Sequence, residues 1–243
     1  MRYVITLQYD GGGYHGWQKQ KTQPVTLQQT VEEAVERVTC HAVTVEGSGR
    51  TDEGVHALGQ TAHFDTDKTL PAERYRAAIN YYLPPDVRVT ACREAKDTFH
   101  ARKSVKRKTY VYKLYNADVE NPLLRTRAYC VSGVSAERMN EAAKYLVGKH
   151  DFSAFMSSGS SAKTFTRTVF AASVAESGGD ITFSITGDGF LYNMVRIIVG
   201  ALVKIGRGDP TENMEKILKS RDRRLAPDIA PPHGLYLFSV EYD

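Results

Sequence analysis

Apolar patterns read from Arg2 to Arg93 as strand, helix, two strands, helix and strand, and a second run of similar plan opens at Thr109. Arg2 to Asp10 has the β-branched and aromatic content of a strand and breaks at Gly11-Gly12-Gly13. Thr26-Leu27-Gln28-Gln29 has the form of a capping box, and Leu27, Val31, Ala34, Val35 and Val38 recur at helical spacing. Val43 to Glu46 and Gln60 to Asp65 read as strands on either side of a loop, Gly47 to His56. Pro71 near a start, apolar Ala78, Ile79 and Tyr82, and a stop at Pro84-Pro85 mark a second helix, followed by a strand from Val87. The second run begins with Thr109 to Tyr115 and passes into a helix from Ser135 that Gly148 can end. Thr168 to Ala175 and Ile181 to Thr186 join through Ser177-Gly178-Gly179-Asp180, a hairpin connection. Helices over Tyr192 to Ile205 and Thr211 to Lys219 and a strand from Leu235 to Tyr242 complete the chain. The expectation is an α+β protein of two ferredoxin-like (RRM-like) halves with largely antiparallel sheets, residues 1–104 and 105–243. Element order alone supports it, because residue identity between the halves is too weak to prove duplication.

At 243 residues, one or two compact units are expected. Hydrophobic residues at 42% and charged residues at 25% are close to ordinary globular usage and favour neither a disordered chain nor a fibrous repeat. The start lacks the apolar run of a secretory signal and no stretch reaches membrane-spanning length without a charge, so the cytoplasm is the expected location. Cys40, Cys92 and Cys130 are scattered and odd in number, which argues against a disulfide framework or zinc ribbon; they read as buried apolar residues. The net charge of +4 says little, but its distribution says more. Arg102 to Lys108 leads into Tyr110, Tyr112 and Tyr115, and Arg221-Asp222-Arg223-Arg224 lies near the end. Basic groups beside aromatics suit phosphates and unstacked bases, and a solvated charge run is the simpler alternative.

Gly11-Gly12-Gly13-Tyr14-His15-Gly16 fits the dinucleotide fingerprint, but eight residues, Trp17 to Pro24, intervene where a helix should open. A flexible turn is the better reading, with Trp17 either an RNA-stacking ring or a core anchor. Gly47 to His56 gathers small residues around Arg50, Asp52, Glu53 and His56 and lacks the ending of a phosphate-binding P-loop. It is either a structural turn or a catalytic loop whose glycines let the backbone approach a bulky substrate. His56 and His63 have no third ligand at convincing spacing, so no metal is expected. Arg196 interrupts a helix that is apolar nearly all round. A buried guanidinium needs a partner, for which Asp52 is the candidate; the alternative is that Arg196 snorkels to the surface.

Tyr9-Asp10-Gly11 through Gly16-Trp17-Gln18, Gly49-Arg50-Thr51-Asp52-Glu53-Gly54-Val55-His56-Ala57, Phe99-His100-Ala101-Arg102, Tyr110-Val111-Tyr112, Met194 to Gly200 and Gly234-Leu235-Tyr236-Leu237 recur in that order in a known group. The chain resembles the tRNA pseudouridine synthase A (TruA) family over nearly its whole length. The resemblance implies an RNA isomerase acting on uridines 38, 39 and 40 of the tRNA anticodon stem-loop, bound in a central cleft. It also implies a homodimer with neither metal nor organic cofactor. Asp52 matches the catalytic aspartate, Arg196 the arginine paired with it, Tyr110 the tyrosine that stacks on the target base, and Arg50 the loop arginine linked to uridine extrusion. The chain departs from the usual pattern at Glu53, Gly189, Asn193 and Ile197, none of which removes one of these groups. Glu53 adds negative charge beside a phosphate-binding cleft. Rival expectations are a non-catalytic RNA-binding protein of two RRM-like halves and a metal-dependent hydrolase using His56 and His63.

Overall fold

A computed structural model describes residues 1–20, 22, 25–159 and 162–242 of the chain. It divides into two compact units, Met1–Lys106 with Tyr236–Asp243, and Arg107–Leu235. The first unit opens with β1 (Arg2–Tyr9), α1 (Leu27–Thr39), β2 (Glu46–Gly47), β3 (His56–Asp65), α2 (Ala72–Tyr82) and β4 (Val87–Ala95). Antiparallel pairing of β1 with both β3 and β4, and of β2 with β3, gives the order β4-β1-β3-β2. That order is the ferredoxin-like one read from the sequence. Tyr3, Val4 and Ile5 are all buried, as a strand paired on both sides and covered on both faces requires.

Thr26 caps α1 by accepting the Gln29 amide at 3.4 Å, but the Gln29 side chain bonds Glu33 instead of returning to the cap, so only half of the box forms. The strand expected from Val43 shrinks to β2 for an electrostatic reason. Glu32 Oε1 accepts the Val45 amide at 3.1 Å and Gln28 Nε2 donates to the Val45 carbonyl at 3.1 Å. Side chains of α1 thus occupy the backbone groups that a ladder would have used.

The second unit contains β5 (Arg107–Asn116), β6 (Tyr129–Val131), α3 (Ala136–Ala143), β7 (Gly148–Asp151), β8 (Thr166–Ser177), β9 (Asp180–Gly187), α4 (Met194–Gly206) and α5 (Asn213–Ser220). Antiparallel pairing runs β5-β9-β8-β7, with β6 parallel beside β5. Gly178 and Gly179, at φ 61° and 88°, supply the two left-handed residues that a tight β8–β9 hairpin demands. The apolar helix read from the sequence is α4, with Ile197, Ile198, Val199 and Leu202 wholly buried. Gly206 closes α4 where a β-carbon would lie 3.0 Å from Met139, so α3 and α4 approach closely.

The last strand, β10 (Leu235–Glu241), which element order places in the second half, also pairs with a strand of the first unit. Tyr236 and Leu237 pair in parallel with His56 and Ala57, which also extends β3 four residues earlier than its apolar pattern indicates. Gly59 permits the approach, since a β-carbon there would stand 2.5 Å from the Phe238 carbonyl oxygen. The cysteines are free, as expected, but only Cys92 is buried, its thiol pushed up to about 12 by desolvation. Cys40 is exposed because it occupies the left-handed C-cap of α1, φ 66°. Among the described residues no helix is long and apolar enough to cross a membrane.

Candidate active site

Asp52 lies in the loop between β2 and β3, and the loop is pinned on both sides of it. Ser48 Oγ donates to Gln60 Oε1 at 2.6 Å, and Gln60 Nε2 donates to the Gly49 carbonyl at 2.9 Å. The Thr51 hydroxyl meets the buried Tyr9 hydroxyl at 2.8 Å, and the Trp17 amide donates to the Thr51 carbonyl at 3.0 Å. The Val55 amide closes the turn on the Asp52 carbonyl at 3.1 Å, with Gly54 at φ 76°. Thr51 and Val55 are buried, whereas Asp52 is half-buried and Glu53 exposed. The backbone on either side of Asp52 is thus anchored, the kind of preorganisation that catalysis favours.

The glycine-rich segment from Gly11 to Gly16, read from sequence as a flexible turn, is the rigid support of that loop. The Gly11 amide donates to His56 Nδ1 at 3.0 Å and the Gly12 amide to Asp10 Oδ1 at 3.0 Å. The same His56 nitrogen lies 3.1 Å from Asp10 Oδ1. A β-carbon on Gly11 would fall 2.0 Å from the Val55 carbonyl oxygen; on Gly16, at φ 79°, it would fall 2.8 Å from that of Thr51. Trp17 is a core anchor, 2% exposed, and Gly47 leaves room for its ring. A register shift in β1 between Leu7 and Tyr9 lies just before this support, where bulges re-aim a strand end. Gly11→Ala is expected to cost about 1 to 3 kcal/mol, because the backbone clash outweighs the unfolded-state gain from losing a glycine. A thermal melt should fall by about 2 to 4 °C for each kcal/mol.

Arg50 is exposed on the same loop and donates through Nε to Gln18 Oε1 at 3.1 Å. Gln18 continues to Gln28, and Gln28 to Glu32, a buried polar chain that no local sequence pattern revealed. Glu53, the unusual loop residue, has a carboxylate oxygen 3.3 Å from His15 Nδ1 in an exposed pair of small energetic weight. His63 accepts the Ala101 amide at 3.3 Å, and burial holds its imidazole below the usual range. Both histidines thus accept backbone amides through Nδ1.

Tyr110 and Arg196 belong to the second unit. Tyr110 is 9% exposed in β5, opposite Ile185 of β9, with its ring edge-on to Phe190 at 5.1 Å. Arg196 is half-buried near the start of α4, so neither full burial nor simple surface snorkelling describes it. Nε donates to the Ala230 carbonyl at 2.8 Å and Nη1 to Asn193 Oδ1 at 2.8 Å. The Ala230 segment reaches α4 because Gly200 has no β-carbon; one would stand 2.3 Å from the Asp228 carbonyl oxygen. Tyr112 ties the same segment to β5 by donating to the Pro231 carbonyl at 2.7 Å, and burial raises its phenol well above the usual range. Asn193, which departs from the usual pattern, sits at φ 59° and donates through Nδ2 to Ser157 Oγ at 3.0 Å, so it links Ser157 to Arg196.

Residues 5–104 and 142–243 match the family described as tRNA pseudouridine synthase. The chain belongs to that family. It is 47% identical over 240 residues to tRNA pseudouridine synthase A of Acetivibrio thermocellus, covering 98% of both chains. It is 45% identical over 241 residues to the enzyme of that name from a Thermoanaerobacter strain, and 43% identical over 242 to tRNA pseudouridine synthase A 2 of Clostridium perfringens, with 98% of each chain covered. The protein is therefore an isomerase acting on tRNA, where the family converts uridine to pseudouridine. Arg50, Asp52 and Arg196 fall within the family match, and Tyr110 lies in the stretch between its two parts.

Proposed function

We propose that this synthase isomerises uridines 38, 39 and 40 of the tRNA anticodon stem-loop, with the Asp52 carboxylate as its catalytic group. The observation that carries this reading is the placement of Asp52 between two buried, hydrogen-bonded neighbours on a glycine-supported loop. The N1 glycosidic bond breaks, the uracil turns, C5 bonds to C1′, and the C5 proton leaves while N1 gains one. Atoms and electrons balance within the nucleotide, so this chemistry requires no redox cofactor or co-substrate. Asp52 serves as nucleophile at C1′, as nucleophile at the base, or as the base that removes a sugar proton, each a role open to an ionised carboxylate.

In this reading Arg196 keeps Asp52 ionised, since an opposing charge lowers a carboxylate's pKa. Tyr110 stacks on the extruded uracil, and Arg50 assists extrusion, which costs roughly a few kcal/mol of lost stacking. The enzyme works as a homodimer in the cytoplasm, in keeping with the resemblance that names these residues; light scattering of the purified protein gives the oligomeric mass. The deciding experiment maps pseudouridine in an unmodified tRNA transcript after incubation with the protein. Product is expected at positions 38, 39 and 40, and replacing each uridine by cytidine removes the corresponding signal. Modification confined to another arm of the tRNA overturns the positional assignment.

A further inference from the structure

The second unit carries an open cavity of about 820 Å³ lined by Ser153, Ser157, Ser158, Arg221, Asp222 and Arg223. Ser153 Oγ donates to the Arg221 carbonyl at 3.4 Å, so the Ser157 and Ser158 hydroxyls and two guanidiniums form the anion-binding set, provided the aspartate does not cancel it. Asp222 is matched by Arg224, whose Nε and Nη2 lie 3.0 and 2.7 Å from its two oxygens. Arg221 Nε stands 3.7 Å from Asp151 Oδ2 in a loose pair. Arg223 donates through Nη1 to the Ala226 carbonyl at 2.9 Å and meets no carboxylate among the described residues. Three arginines against two aspartates leave the cavity one net positive charge.

One further detail favours a ligand with phosphate oxygens. Ser157 Oγ accepts from Asn193 Nδ2, which leaves the serine proton available to donate into the cavity. Asn193 in turn receives Arg196 Nη1, so an oxygen bound by Ser157 is joined to the Arg196 guanidinium through a short chain of hydrogen bonds.

We infer that this cavity seats a backbone phosphodiester of the tRNA substrate, held by Arg221, Arg223 and the Ser157 and Ser158 hydroxyls. The inference rests on tRNA being the substrate; it depends neither on which uridine is modified nor on the role of Asp52.

The test measures tRNA binding rather than turnover, in the Asp52→Asn background, across a salt series. Arg223→Gln is expected to lower the slope of log affinity against log salt by about one and to weaken binding at low salt about tenfold. Arg221→Ala with Arg223→Gln lowers both further, and Ser157→Ala weakens binding with the slope nearly unchanged. Lys216→Ala, an exposed cation outside this cavity, is the control that leaves the slope unaltered. Circular dichroism and melting confirm folding, and the Arg223→Gln single variant decides if the double variant does not fold. An unchanged slope in folded Arg223→Gln overturns the proposal. Phosphorus NMR with inorganic phosphate separates the alternative: saturable phosphate binding lost in Arg223→Gln, with the tRNA slope intact, makes this a free-anion site and also overturns it.

Discussion

Asp52→Asn should stop tritium release from tRNA labelled at uracil C5, a fall of at least about 10³-fold, while tRNA binding stays largely intact. The substitution keeps the shape of the side chain and removes its ability to act as nucleophile or base. The loop has anchors that do not involve the carboxylate. Thr51 and Val55 are held through Tyr9, Trp17 and the Asp52 backbone carbonyl, none of which changes in the variant. Loss of turnover with an unaltered melting temperature therefore reports chemistry rather than folding. Undiminished tritium release from a folded variant removes Asp52 from the mechanism.

Arg196→Lys is expected to lower kcat about 10²-fold with little change in KM for tRNA, the size of effect seen when one preorganised donor is lost. Charge survives this substitution, but the fork does not. Nε is committed to the Ala230 carbonyl and Nη1 to Asn193, so two bonds orient the planar guanidinium. A lysine ammonium places its donors on a single nitrogen at the end of a flexible stem and cannot reproduce both anchors while presenting a third edge. Steady-state kinetics separate the outcomes. A rise in KM alone assigns Arg196 to substrate binding, and unchanged constants remove the proposed pairing with Asp52.

Much of the fold was legible because its determinants are local. The spacing of Leu27, Val31, Ala34, Val35 and Val38 specified α1, and the Thr26 cap marked its start. The glycines at 178 and 179 specified a hairpin because both adopt positive φ, a short-range requirement of the turn. Element order then indicated ferredoxin-like pairing in the first unit. Reading failed where a distant group competed for the backbone. Glu32 and Gln28 took the hydrogen bonds of Val45 and shortened β2, and β3 gained residues through a parallel partner more than 170 positions away.

The candidate site shows the same division. Residue types and their order picked out Arg50, Asp52, Tyr110 and Arg196 and placed the chain among the tRNA pseudouridine synthases, because family motifs are written in side chains. What supports those residues is not written locally. The Gly11 to Gly16 run reads as a flexible turn, yet Gly11 and Gly16 pack so closely on Val55 and Thr51 that a methyl group on either would collide with them. Asn193 looked like a mere departure from pattern, yet its amide joins Ser157 to Arg196. The sequence by itself determined which elements form, through periodicity and turn chemistry, and which side chains resemble a catalytic set. Only the tertiary structure decided which strand β10 joins, what buttresses the Asp52 loop and what orients Arg196. Those outcomes depend on steric fit and hydrogen bonds between residues far apart in the chain, and no local pattern encodes them.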